Sequence, residues 1–295
     1  MISNLEKEVT FRFLKARKKD GFLNVISIFS FIGIGLGVAV LIIVMSVMNG
    51  FRAELINKIV GFNSHITVKS YDENGIDKNE LDNKNLKLIS ENIIFSNSGE
   101  AIILKNKTSK GIVLRGYESS EFSVLKIIQN KQFRGDKSEL GINSISIGNE
   151  LSVTLNLEIN DKITLMSPSG VDTLIGSMPK QKTFVITSIF DSGLADFDNN
   201  IALINLKTLE EFFDFENKAR TLEIYLKNPN NIEAQKQIVQ KIFDNEFVYT
   251  WADMNSSLFS ALKIERNVMF IILSLIIIVA AFNIISGLTI LVKNK

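Results

Sequence analysis

Apolar positions are distributed along this chain in two ways. From Phe22 to Met48 (FLNVISIFSFIGIGLGVAVLIIVMSVM) and from Val268 to Val292 (VMFIILSLIIIVAAFNIISGLTILV) no charged residue occurs. Each run exceeds the ~20 residues an α-helix needs to cross a bilayer, so both predict transmembrane helices. The first is too long for a secretory signal, and no small-residue cleavage motif follows it. Past Met48 the first helix is expected to continue through MNGFRAELINKIVGF. Val44, Met48, Phe51 and Leu55 recur there at i, i+4, i+7 and i+11 on one narrow stripe, with Arg52, Glu54 and Asn57 off it. A greasy stripe just above a membrane suits an acyl chain or a partner helix. From spacing alone, packing against the chain's own domain is the plainer account.

Between the two runs the pattern changes to short alternating segments. Strands are predicted at His65 to Tyr71, Ala101 to Asn106, Gly111 to Tyr117, Ser144 to Gly148, Lys162 to Ser167, Phe184 to Phe190, Asn200 to Asn205 and Thr221 to Leu226. Helices are predicted at Asn205 to Phe213 and at Asn231 to Phe243, where Val239, Ile242 and Phe243 share a face. A last helix, capped by Asp253 or Asn255, is expected to run through LFSALKIERN into the second span. The stretch from Asp72 to Lys87, rich in Asp, Asn and Lys, reads as a helix and loops on a solvated surface. The fold class is thus a membrane protein of α+β type, two transmembrane helices flanking a mixed α/β domain.

Charge sets the orientation. Arg12, Lys15, Arg17, Lys18 and Lys19 precede the first span and Lys293 and Lys295 follow the second, which predicts that both ends face the cytoplasm. The expected organisation is a basic cytoplasmic segment at 1–21, a first span at 22–50, an extracytoplasmic domain at 51–267, a second span at 268–292 and a cytoplasmic end at 293–295. The segment 1–21 reads equally as an interfacial helix and as a solvated flank.

Composition narrows the chemistry. A net charge of +1 gives no electrostatic reason to expect nucleic acid as a partner. With 0 cysteines and 1 histidine, thiol catalysis, Cys-ligated zinc and a multi-His metal site are excluded. The glycines of FIGIGLGVAV lie inside a span rather than after a strand, so they are no nucleotide loop. Gly33 and Gly37 form a GxxxG that suits close contact with another helix, or reflects the tolerance of membrane helices for glycine. DFDNN (Asp196 to Asn200) opens like a calcium loop, but Ile201 and Lys207 stand where Gly and Glu would be needed, so it reads as a turn. His65 has no evident catalytic partner and reads as structural. No nucleophile elbow, P-loop or HExxH occurs. The chain is therefore expected not to be an enzyme, with no metal and no cofactor. SPSGVDTLIGSMPKQKTF (Ser167 to Phe184) joins two strands through a long arm with an apolar tip (Leu174, Ile175, Met178) and a polar base (Lys180, Gln181, Lys182). A docking hairpin and an irregular loop account for it equally well.

FLKARKKDGF, IGIGLGVAVLIIVMSVMNGFRAEL and ALKIERNVMFIILSLIIIVAAFNIISGLTILVKNK resemble the first two spans of the LolC/LolE family of lipoprotein-releasing ABC-transporter permeases. GIVLRGYE, SISIGNELSVTLNLEINDKITLMSP and FVITSIFDSGLADFDNNIALINL resemble its periplasmic strands. The resemblance implies a MacB-like periplasmic domain with porter and sabre parts, in the bacterial inner membrane. It implies a cytoplasmic LolD-like ATPase, a second permease subunit (paralogue or second copy), lipoprotein cargo and the periplasmic chaperone LolA as partners. By resemblance, the stripe Val44, Met48, Phe51 and Leu55, with Val268 and Met269 on the facing helix, contacts lipoprotein. Pro168, Leu174, Ile175, Met178, Pro179, Gln181 and Lys182 form a hook for the chaperone, with Lys182 where such proteins more often carry Arg. The family has four spans and a coupling helix, so the sequence reads as truncated after its second span. A MacB-like efflux permease and an FtsX-like regulator of cell-wall hydrolases are the rival readings.

Overall fold

A computed structural model of the chain describes residues 5, 6, 8, 21–71, 75–76, 81–105, 108–138, 140–173, 176–215, 220–228 and 232–293. Most of the N-terminal basic segment, with Leu174, Ile175, Asn106 and Asn231, lies outside them. The chain divides into two compact units, Met1–Glu54 with Ser257–Lys295, and Leu55–Ser256.

The first unit contains the apolar parts of two long helices, α1 (Gly21–Phe62) and a final helix (Ser256–Lys293). Both are long and apolar enough to cross a membrane. They are apolar on all sides, as a helix solvated by lipid must be.

In the second unit the elements follow in the order β1 (Ile66–Lys69), α2 (Lys84–Ile89), β2 (Ser90–Lys105), β3 (Thr108–Tyr117), α3 (Ser119–Phe122), α4 (Lys126–Gln129), β4 (Arg134–Gly135), β5 (Ser144–Gly148) and α5 (Asn149–Leu155). After these come β6 (Lys162–Thr173), β7 (Gly176–Phe190), α6 (Ala195–Asn200), β8 (Ile201–Asn205), α7 (Leu206–Phe213), β9 (Thr221–Leu226), α8 (Ile232–Ile242), β10 (Phe247–Thr250) and α9 (Trp251–Met254). The final helix is α10.

Two substructures share the long strand β2. Its first half joins an antiparallel sheet of order β10-β1-β9-β2. Since β1 runs parallel to β2 and β9 to β10, with α2 and α8 as the crossovers, this is a double split βαβ arrangement. Leu86 of α2 and Val239 of α8 cover one face of that sheet, together with Phe243 and the strand residues Ile66, Val68, Leu222, Ile224 and Val248. The second half of β2 pairs with β3 on one side and, at Ile102–Leu104, with β6 on the other. Continuing β3-β8-β5-β7-β6 returns the ladder to β2 and closes a six-stranded barrel. Closure removes the exposed edges that an open sheet leaves. Alternate residues (Ile103, Leu114, Ile145, Ile147, Ile163, Leu165, Phe184, Ile186) fill its interior, joined by Leu209, Phe212 and Phe213 from α7.

Glycine is required at two close approaches, one to a ring and one to a backbone. A Cβ at Gly99 would sit 2.6 Å from the Phe213 ring, and one at Gly148 would collide with the backbone of Asp198.

Several elements differ from expectation. β2 begins at Ser90 rather than Ala101, because its polar half (SENIIFSNSGE) is held by pairing, first with β9 and then with β3, and not by its own hydrophobicity. Asp196–Asn200 belongs to a short helix instead of a turn, with Asp198 buried and accepting the Ser192 N–H at 2.9 Å. Asp253 does not cap α10. Its carboxylate closes a capping box with Thr250 at the start of α9. Of the two alternatives left open for the arm after Ser167, the structure shows the hairpin: after a register shift, Gly170 to Thr173 pair with Pro179 to Gly176.

Candidate functional site

The first candidate surface lies along α1. Val44 and Phe51 are 41% and 56% exposed, while Met48 and Leu55 are half-buried. On α10, Val268 is 47% exposed and Met269 half-buried. A Cβ at Gly33 or Gly37 would meet nothing within 4 Å.

The second surface is the arm formed by the outer parts of β6 and β7. Met178 is 59% exposed, and Pro168, Pro179 and Gln181 are exposed as well. At the base, the Lys182 ammonium lies over an aromatic face, 5.6 Å from the Phe184 ring centroid. Lys180 is tied to α7: it donates to the Asp214 carboxylate at 2.7 Å and to the Glu211 carbonyl. Asp214 takes a left-handed conformation (φ 55°) where α7 ends. The apolar residues Leu174 and Ile175 at the tip lie outside the described residues.

Where the sheet and the barrel join, the fold buries a polar cluster that the sequence reading did not single out. Glu223 of β9, 3% exposed, pairs with Arg115 of β3 at 3.0 Å. Its carboxylate also accepts from Ser96 at 2.5 Å, Tyr225 at 2.9 Å and Tyr117 at 3.3 Å. The Arg115 guanidinium lies 5.4 Å from the centroid of the Phe62 ring, at the end of α1. Burial works against the Arg115 charge, yet Tyr117 and Glu223 hold its pKa above the ordinary range. Burial also pushes the Tyr117 phenol up. Beside the cluster, burial and the negative charges of Glu118 and Glu223 push the Glu121 carboxyl up to about 7. The available signal was one charged residue inside an otherwise apolar strand, in GIVLRGY and again in TLEIYL, since a buried charge is normally paired.

His65, fully buried, accepts the Leu226 N–H on Nδ1 at 2.6 Å. Burial, with Lys126 nearby, lowers its pKa to about 4. It is a structural neutral imidazole. None of the groups described so far pairs a nucleophile with a base.

Comparison with known proteins gives these surfaces a context. Residues 27–242 match the family model of the MacB-like periplasmic core domain. The "Lipoprotein-releasing system transmembrane protein LolC" of Neisseria meningitidis is 32% identical, covering 99% of this chain and 72% of that protein. The LolC protein of Buchnera aphidicola subsp. Schizaphis graminum is 31% identical, covering 93% and 68%. The LolE protein of Haemophilus influenzae is 25% identical, covering 97% and 71%. These alignments cover nearly the whole chain, so the chain belongs to the LolC/LolE family of lipoprotein-releasing transmembrane proteins, built on a MacB-like periplasmic core domain.

Proposed function

We propose that this chain is the permease subunit that takes lipoproteins out of the bacterial inner membrane and passes them to a soluble periplasmic chaperone. It is a non-catalytic subunit. ATP is hydrolysed by a separate LolD-like cytoplasmic partner, and a second permease subunit completes the assembly. The acyl chains lie against Val44, Met48, Phe51 and Leu55, facing Val268 and Met269. The chaperone LolA docks on the arm through Met178, Pro179, Gln181 and Lys182, with Pro168, Leu174 and Ile175 completing the hook. Both ends of the chain face the cytoplasm.

The observation that carries this reading is family membership over nearly the whole chain, with Val44 and Phe51 of the apolar stripe exposed on α1. Diacyl or triacyl cargo matches the chemistry of that stripe where the helix leaves the bilayer. The reading is tested by placing a photo-crosslinker at position 48 or 51 in cells that carry the ATPase and partner permease. Lipoprotein in the adduct is the expected result; adducts only within the chain's own domain would contradict it. A reporter fused at Asn74 should register as periplasmic, and a cytoplasmic signal there would remove the transport reading.

A further inference from the structure

Near the end of α1, wholly within the second unit, lies a cleft of about 350 Å³ that the proposed transport function does not use. That volume falls in the range of small-ligand sites, which begin at about 300 Å³. Two cations line it, Lys58 from α1 and Lys126 from α4, with the side chains of Asn57 and Gln129 beside them and Phe62 among its apolar lining.

The arrangement of Lys58 is specific. Its ammonium donates to the Gly193 carbonyl at 3.1 Å, which leaves further N–H groups for a ligand. Gly193 has φ +71°, and a Cβ there would stand 3.0 Å from Lys58 Nζ, so the glycine both permits the turn and gives the lysine room. The one carboxylate in the lining, Asp191, is engaged in that turn, accepting the Gly193 N–H at 2.8 Å. Lys126 is exposed and belongs to no ion pair among the described residues. The cleft therefore offers two ammonium groups and amide donors over an apolar ring, which is the chemistry of a phosphate site.

Position suggests the source of the phosphate. Lys58 follows Leu55, the last residue of the apolar stripe, by three residues of one continuous helix, a rise of about 4.5 Å. The headgroup layer on each side of a bilayer is about 5–7 Å deep. If the stripe meets acyl chains, a point on which this inference rests on the proposed function, Lys58 stands among headgroups. We propose that the cleft binds a phosphate group through Lys58 and Lys126, and that this phosphate is carried by an anionic phospholipid.

The test uses the full chain in a neutral detergent, with lipid retention read by native mass spectrometry. Phosphatidylglycerol should be retained over phosphatidylcholine. Lys58→Gln and Lys126→Gln should each reduce the excess about fivefold, the scale of one basic side chain near an anionic lipid surface. Unchanged Trp251 fluorescence shows that the variants are folded. Inorganic phosphate is titrated in parallel by thermal shift. A shift that both substitutions abolish, without lipid preference, keeps the phosphate site and assigns it to free phosphate. Equal retention of both lipids with no phosphate shift, or retention and shift that neither substitution changes, overturns the proposal. Crosslinking of lipoprotein at position 48 or 51 is read independently, so failure here leaves the transport reading standing, and failure there does not decide the cleft.

Discussion

The strands β6 and β7 do opposite things at their two ends. In the barrel, Ile163, Leu165, Phe184 and Ile186 are sealed from solvent, and β7 is paired on both sides. Beyond Ser167 the same two strands pair only with each other, and Met178 stands open. A two-stranded ribbon is marginal by itself, so the barrel must hold the arm's base in place. The difference teaches that one ladder can be sealed in a core at one end and open to solvent at the other, with Lys180 at the crossover; on the proposed function the open end is the contact element. Substitutions that separate stability from binding sharpen this comparison.

The largest stability effect is expected in the barrel. Phe184→Ala should cost about 3–5 kcal/mol, whereas Met178→Ala in the arm should stay within about 0.5 kcal/mol. Both are measured by denaturant unfolding of the full chain, followed by Trp251, the 1 tryptophan of the sequence. Similar losses at the two positions would break the comparison.

The buried pair that joins sheet to barrel should give a loss of the same order. Arg115→Met leaves Glu223 buried without its cation and should cost about 3–5 kcal/mol. Adding Glu223→Leu to Arg115→Met should recover part of that loss, because the uncompensated charge is then gone. No recovery would mean that packing around Arg115, not its charge, supports the junction.

The third effect depends on pH. The pKa of His65 is lowered on folding to about 4 from 6.5, so the unfolded chain binds the proton more readily. Stability should therefore be intact above pH 6.5 and fall as the pH drops toward 4, by up to about 3 kcal/mol. Protonation would set an Nδ1–H against the Leu226 N–H that it now accepts. His65→Asn should flatten the pH profile in that window; an unchanged profile would place the acid sensitivity elsewhere.

The smallest effect belongs to the crossover. The Lys180–Asp214 pair is partly exposed, so Lys180→Ala should cost less than about 1 kcal/mol. It should nonetheless weaken chaperone binding, since the arm loses its tie to α7. A binding constant equal to that of the unaltered chain would show that the tie does not orient the arm.

The parts legible in the sequence were those whose signal is local. Two charge-free runs announced the membrane helices, and β-branched segments such as SISIG and TLEIYL announced barrel and sheet strands. The first half of β2 was not legible, because Ser96 and Gly99 are placed for reasons outside their own segment: Ser96 is buried and bonds Glu223, and Gly99 lies under Phe213. Barrel closure was equally hidden, since it depends on Ile102 pairing with Met166 across a long separation. Of the candidate sites, the stripe and the arm could be read from spacing and from family resemblance. The single charges of GIVLRGY and TLEIYL hinted at buried partners, but that Arg115 pairs with Glu223, and that Lys58 and Lys126 line one cleft, could not be read, because each is assembled from residues far apart in the chain.

The claim that the arm is a contact element is tested most directly by replacing residues 168–179 with an Asn-Gly turn and measuring two quantities on the full chain. One is capture of the purified chaperone LolA; the other is the unfolding midpoint reported by Trp251. The account predicts that capture is lost while the midpoint stays where it was. Capture at the level of the unaltered chain, or collapse of the midpoint together with capture, would contradict it.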